Sequence, residues 1–326
     1  MTTPVLIDTD PGIDDALGIL LALGSPEVSI EAITTVAGNV EVGLGTENVL
    51  RILDVVRPAR PPRVAQGAAA PLRQPLVTAP HVHGADGLGN LDKVLDPDGR
   101  PRYPKSLHGV ETLDGADLIL ETARALSDRL VLIAVGPLTN LALAIQRDAE
   151  ALKHCARIVI MGGAVLSPGN VTPVAEFNMY VDPEAAAIVF EAGLPIDLVP
   201  LDVTRQVLLS RGVLQASLGG NRSPCARFIE DFTAFGFDFG ESRGEGGIYL
   251  HDPLAVAVAI EPGLVEFEPL HVAVEAEGRL TRGMTVADRR DVEPYRKRPS
   301  TCRAALGVDA PRALRFFLDR LCPASA

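Results

Sequence analysis

Short runs of β-branched and aliphatic residues alternate along the chain with longer stretches whose apolar positions recur at helical spacing. Val5 to Ile7 is too short for a helix and suits a buried strand. Ala16 to Leu23 then reads as an apolar helix stopped by Gly24-Ser25-Pro26. Residues 29 to 36 predict a second strand, 46 to 56 a helix, and Arg63 to Gln66 a short third strand. After a helix over 111 to 127, Leu130 to Val135 is continuously apolar, as expected of a central parallel strand covered on both faces. Strands follow at Arg157 to Ile160 and Ile196 to Leu201, with helices starting near Leu141 and Asp182-Pro183. Helices over about 211 to 218, 224 to 239 and Leu254 to Ile260, late strands at 271 to 275 and 283 to 287, and a helix over 310 to 321 complete the pattern. Strand and helix in turn predict an α/β fold: an open, mostly parallel sheet flanked by helices, in a single domain.

Residues 71 to 108 break the pattern with Gly, Pro, His and Asp, including Pro80-His-Val-His-Gly-Ala-Asp-Gly-Leu-Gly89. Irregular segments of that length in compact domains are functional or disordered. A flap over a site at the sheet edge and an idle surface excursion both fit.

The length of 326 residues and 47% hydrophobic content support one large core. A formal charge of −12 argues against nucleic acid and anionic membranes as partners. Arg289-Arg290 and Arg296-Lys297-Arg298 are too short and broken to offset it. Cys155, Cys225, Cys302 and Cys322 lack metal spacing and read as buried or idle thiols. With no signal-peptide pattern and no apolar run long enough for a membrane span, the expected compartment is cytoplasmic.

The first strand runs into Asp8-Thr-Asp10-Pro-Gly-Ile-Asp14-Asp15, which places four carboxylates at its C-terminal end. In open parallel sheets ligands bind at that edge. Clustered carboxylates repel unless a cation neutralises them, and hard divalent ions take oxygen ligands. A solvated acidic turn with Asp14 as helix cap is the alternative. The same edge receives Asn39, the Val135 carbonyl ahead of Gly136-Pro137, Met161, and a loop with Asn170, Glu176 and Asn178. Two amides and a carboxylate suit a polyhydroxylated ligand, and each equally suits loop hydrogen bonding. His251-Asp252-Pro253 opens a late helix, with Asp252 either a cap or a site residue.

In order, Asp-Thr-Asp-Pro-Gly-Ile-Asp-Asp-Ala, Ala-Gly-Asn, His-Gly-Ala-Asp-Gly-Leu-Gly, Val-Gly-Pro-Leu-Thr-Asn, Met-Gly-Gly, Glu-Phe-Asn and His-Asp-Pro resemble the inosine-uridine preferring nucleoside hydrolase family. Thr281-Arg-Gly-Met-Thr-Val resembles its tail. The resemblance implies that fold and one Ca²⁺ per subunit, held by Asp10, Asp15, Asp252 and the Val135 carbonyl, with Asp8 behind them. It assigns the ribose to Asp14, Asn39, Asn170, Glu176, Asn178 and Asp252, over Met161. His83 matches the flap histidine, in contact with ribose or base. Family tyrosines near the base correspond to Phe235 and Phe239, which lack the hydroxyl that bears on purine hydrolysis; the implied activity is hydrolysis of purine and/or pyrimidine ribonucleosides to free base and ribose. Absence of Trp resembles the broad inosine-uridine group rather than the purine-specific one. The implied assembly is a homodimer or homotetramer.

These residue types suit the implied chemistry. Cleavage of an N-ribosidic bond builds positive charge on the sugar, which a carboxylate-rich pocket stabilises. Asp10 is the expected general base and His251 the general acid for the departing base. Direct water attack predicts inversion. The substrate is a neutral nucleoside, since the matched motifs supply no phosphate cradle. Two other readings remain at this level. Asp8-Thr-Asp10 also resembles haloacid dehalogenase-like phosphatases, although Gly12 stands where these usually have Thr or Val. A ribose-binding protein without turnover would retain the same pocket.

Overall fold

The computed structural model describes residues 2 to 290 and 298 to 321. Its strands are β1 (Thr3–Thr9), β2 (Val28–Thr35), β3 (Arg63–Gln66), β4 (Val131–Ala134), β5 (Arg157–Met161), β6 (Ile196–Val199), β7 (Leu208–Leu209), β8 (Ile248–Tyr249), β9 (Val265–Val274), β10 (Thr285–Asp288) and β11 (Cys302–Val308). Its helices are α1 (Ile13–Leu23), α2 (Val42–Val56), α3 (Pro80–His83), α4 (Gly115–Leu126), α5 (Thr139–Lys153), α6 (Phe177–Val181), α7 (Pro183–Glu191), α8 (Leu201–Thr204), α9 (Arg211–Leu218), α10 (Pro224–Ser242), α11 (His251–Ile260) and α12 (Ala310–Leu321). Nine strands form one sheet in the order β10-β9-β11-β6-β5-β4-β1-β2-β3. β1 to β6 and β11 are parallel, while β9 and β10 add an antiparallel edge.

Side-chain alternation divides the core into two layers. Val5, Ile7, Val131, Ile133 and Val159 point towards α1, α2, α10, α11 and α12. Leu6, Leu132, Ala134, Ile158 and Ile160 point towards α4, α5 and α7. Full burial of each aliphatic side chain contributes roughly 1.5–3 kcal/mol, which fixes the strand register. The chain winds outwards from β1 through β2 to β3, then returns to place β4 on the other side of β1. The crevice opened where the winding reverses lies at the C-terminal ends of β1 and β4.

Several expectations require correction. No strand was anticipated over Cys302–Val308, yet β11 lies inside the sheet between β6 and β9. Its Ala- and Gly-containing sequence carries little strand signal. Tertiary pairing holds it instead, including a two-point ion pair from Arg303 to the buried Asp197 on β6. β9 starts well before residue 271, and β6 ends before Leu201, where a helical turn takes over. Residues 71 to 108 are partly ordered by α3 and a 3-10 turn at Leu91–Lys93. Cys155 and Cys302 are buried, which pushes their thiols up to about 11 and about 12. Cys225 is half-buried. Arg296, Lys297 and Cys322 lie outside the described residues. Among the described residues no helix is long and apolar enough to cross a membrane.

Candidate active site

A cavity of about 480 Å³ opens at this crevice, lined by Asp14, Asn39, His83, Val135, Met161, Asn170, Glu176, Asn178, Phe239, His251 and Asp252. Asp10 and Asp15 are buried beneath it. The expected site residues other than Phe235 therefore gather in one place, although they come from elements scattered from β1 to α11.

The floor is built around the Asp10 to Asp15 turn. Asp15 accepts from the backbone N–H of Gly12 at 2.9 Å, the Thr9 hydroxyl at 2.5 Å and the Asn39 amide at 3.1 Å. Asp10 Oδ2 accepts from the Asn39 backbone N–H at 2.7 Å. Its Oδ1 is buried and has no hydrogen-bond partner among the described residues. Two glycines make room for this carboxylate: a Cβ on Gly38 would lie 2.1 Å from Oδ2, and one on Gly136 would lie 2.8 Å from Oδ1. Asp8 sits lower, with Oδ1 accepting from Thr34 and Asn140 at 2.6 and 2.7 Å.

Asp14, Asp15 and Asp252 each bring a carboxylate oxygen within 4.8 Å of the others. The tightest acidic set thus includes Asp14, with Asp10 alongside. Burial pushes Asp10 and Asp252 well above the ordinary carboxylate range, and mutual repulsion within the group adds to it. Asp14 is raised to about 7 by burial and by Asp15. An unpartnered buried oxygen among repelling carboxylates fits a hard divalent cation, so this cluster can bind a metal ion. The Val135 carbonyl accepts from the Asn178 amide at 2.8 Å and retains a second lone pair.

Asn178 and Glu176 form the opposite rim. Glu176 caps α6, accepting from the N–H groups of Asn178 at 2.9 Å and Met179 at 3.2 Å, and from Gly163 at 2.9 Å. Burial nevertheless raises its carboxyl to about 7. Met161, buried at the end of β5, faces the same space.

The outer wall carries the histidines. His83 Nδ1 accepts from the Ile13 backbone N–H at 3.0 Å, which fixes the ring proton on Nε2. Burial lowers its pKa to about 4. His251 Nδ1 lies 2.7 Å from the Thr204 hydroxyl, and burial, then the nearby Arg205 charge, lower this imidazole to about 4 as well. Phe239 reaches the cavity from the last turns of α10, whereas Phe235 packs against the core. Sequence reasoning missed Thr78, His81, Val82, Arg205, Arg243 and Glu245 as lining residues. His81 lies in the Gly- and His-rich segment already singled out as a flap, but two-residue spacing on a helix does not put it on the face of His83.

The model of the inosine-uridine preferring nucleoside hydrolase family matches residues 5–315. The chain is 40% identical over 291 residues to pyrimidine-specific ribonucleoside hydrolase RihA of Citrobacter koseri, covering 88% of this chain and 89% of that one. It is 37% identical over 325 residues to probable uridine nucleosidase 2 of Arabidopsis thaliana, covering 97% of each. Among solved structures, a purine-preferring ribonucleoside hydrolase from Gardnerella vaginalis superimposes with a TM-score of 0.87 at 34% identity, over 98% of both chains. With likenesses that span most of its length, the chain belongs to the inosine-uridine preferring nucleoside hydrolase family and is a hydrolase acting on the N-glycosyl bonds of ribonucleosides.

Proposed function

We propose that the enzyme cleaves ribonucleosides to free base and ribose with one Ca²⁺ held by Asp10, Asp15, Asp252 and the Val135 carbonyl. The unpartnered, buried Asp10 Oδ1 beside the acidic cluster carries this reading. When bound, such an ion supplies a water of lowered pKa and anchors ribose hydroxyls. Asp10, held through Oδ2 by the Asn39 N–H, would also take the proton of the attacking water as general base. Asp14, Asn39, Asn170, Glu176, Asn178 and Asp252 bind and orient the ribose over Met161. Negative charge around the sugar stabilises the cation-like ring more than the neutral substrate.

At the other end His83 offers its Nε2–H to ribose or base, and Phe239 packs on the base. His251 serves the leaving group. Its low pKa makes the resting ring neutral at pH 7; as charge develops on the departing base, the ring takes a proton from solvent and passes it to the base, while the proton of the attacking water goes to Asp10. Water attack without a covalent carboxylate intermediate gives inversion at C1′. Uridine is the first substrate to test, given the names of the relatives similar in sequence. The proposed assembly is a homodimer or homotetramer, measurable by light scattering.

The deciding experiment is base release from uridine, cytidine, inosine and adenosine with Ca²⁺, after chelation, and after Ca²⁺ is returned. Loss on chelation with recovery on Ca²⁺ supports the proposal. Full activity in the chelated enzyme refutes the calcium role.

A further inference from the structure

The turn that follows β6 supports two parts of the pocket at once. Asp202, on α8, accepts from the backbone N–H groups of Val165 at 2.8 Å, Leu166 at 2.6 Å and Ser167 at 3.0 Å. The Ser167 hydroxyl adds a contact at 3.4 Å. Arg205 continues the grip, with Nη1 donating to the Pro168 carbonyl and Nη2 to the Gly169 carbonyl, both at 2.8 Å. Every residue from Val165 to Gly169 is thus tied to one helical turn, and the next residue is Asn170. Asn170 lines the cavity, and its backbone N–H donates to the Ala175 carbonyl at 3.1 Å, so the loop is tied to Ala175 on one side and to this helical turn on the other.

Between these two clamps stands Thr204, fully buried, with its hydroxyl 2.7 Å from His251 Nδ1. The hydroxyl has no other hydrogen-bond partner among the described residues, and when it donates to Nδ1 the ring hydrogen sits on Nε2. The turn is itself anchored, since the Leu201 N–H donates to the Gly163 carbonyl at 2.9 Å at the root of the same loop. A carboxylate receiving three N–H groups and a guanidinium spanning two adjacent carbonyls are charge-assisted contacts, stronger than the neutral bonds of an ordinary loop.

We infer that Asp202, Thr204 and Arg205 are positioning residues, with Asp202 and Arg205 setting the loop that presents Asn170 to the ribose and Thr204 setting the ring of His251 towards the leaving base. This inference rests on the proposed roles of Asn170 and His251. It predicts that adjacent residues on one turn fail in different ways. Loosening the loop weakens sugar binding whatever the leaving group, whereas releasing the ring affects only bases that need help to depart.

The test compares uridine with a nitrophenyl riboside, whose leaving group needs no proton, in Asp202→Asn, Arg205→Met, Arg205→Lys, Thr204→Val, Thr204→Ser and His251→Ala. Arg205→Met and Asp202→Asn should raise KM for both substrates, and the inhibition constant of free ribose, by about tenfold or more. Arg205→Lys should recover part of the loss. Thr204→Val should lower kcat for uridine by about tenfold, leave the nitrophenyl riboside within about twofold, and be rescued by Thr204→Ser. Nitrogen NMR of His251 should show the Nε2–H tautomer in the parent protein and a mixture in Thr204→Val, a readout that needs no turnover.

If His251→Ala is selective for uridine but Thr204→Val costs both substrates equally with the tautomer unchanged, the role of Thr204 is overturned and the reaction scheme stands. If His251→Ala itself costs both equally, the leaving-group scheme fails and takes the Thr204 role with it. Unchanged KM and ribose inhibition in Arg205→Met and Asp202→Asn overturn the loop half.

Discussion

In the proposed arrangement the floor beneath the ribose is anchored on strand ends, with Asp14, Glu176, Asn178 and Asp252 added from helix N-termini, whereas the base end is made from the short helix α3, the last turns of α10 and irregular chain. Asp10, Asn39, Val135 and Met161 all follow or close β strands of the central sheet and are buried. His81, Phe239, Arg243 and Glu245 come from α3, α10 and the segment after it, and their contacts are looser. His81 meets Phe239 edge-on at 6.2 Å, and Arg243 sits over the Phe239 ring at 5.4 Å while pairing with Glu245 at 3.0 Å. A shift of the sheet edge would disrupt the core, but a shift of the last turn of α10 would not. That contrast teaches how one family can keep a single sugar chemistry while its members differ in base preference.

Substitution at the floor should have the largest effect. Asp10→Asn removes the carboxylate proposed as general base, and kcat for uridine should fall by roughly 10³-fold or more. Steady-state kinetics with an unchanged fold by circular dichroism checks this, and near-normal kcat would remove Asp10 from the mechanism. His251→Ala lies at the boundary between the two ends. It should cost about 10²-fold on uridine and less than about tenfold on a nitrophenyl riboside. Equal losses would show that the histidine belongs with the sugar instead.

At the outer wall, Phe239→Ala should change the ratio of kcat/KM between uridine and inosine by about tenfold while moving free-ribose inhibition less than about twofold. A large effect on ribose would erase the proposed division between the ends. The smallest effect concerns stability. Burial raises the carboxyls of Asp8 and Glu176 to about 7, above their ordinary values of 3.8 and 4.5. Groups raised in the folded state stabilise it below their ordinary pKa and lose that contribution as pH climbs through about 7. The metal-free protein should therefore melt higher at pH 6 than at pH 8, by a few degrees, about what 1–2 kcal/mol gives a domain of this size. Calcium should raise Tm more at pH 8, where the floor is more fully ionised. A calorimetric scan with no fall in Tm between pH 6 and pH 8 would show that these carboxyls are not raised in the folded protein.

Much of the floor was legible because its residues are local in the chain. Asp8 to Asp15 lie within one strand-to-helix turn, and Gly136 and Asn39 mark the ends of neighbouring strands. The outer wall was legible only in part. Phe239 followed from the helical spacing of α10, but nothing in the sequence joined Arg243 or His81 to it. β11 escaped for a related reason: its place in the sheet depends on Asp197, more than a hundred residues earlier, and on its pairing with β9.

By itself, the sequence determined the alternation of strands and helices, the acidic turn after β1 and the family resemblance, since each is written in residues close together in the chain. Only the tertiary structure decided that Asp252 and Asp14 complete one carboxylate cluster, that Asp10 keeps an oxygen free, and that Thr204 and Arg205 hold His251 and the Asn170 loop. Those facts depend on which strand ends meet where the sheet reverses its winding. Distances between residues hundreds of positions apart are set by packing, not by local preference.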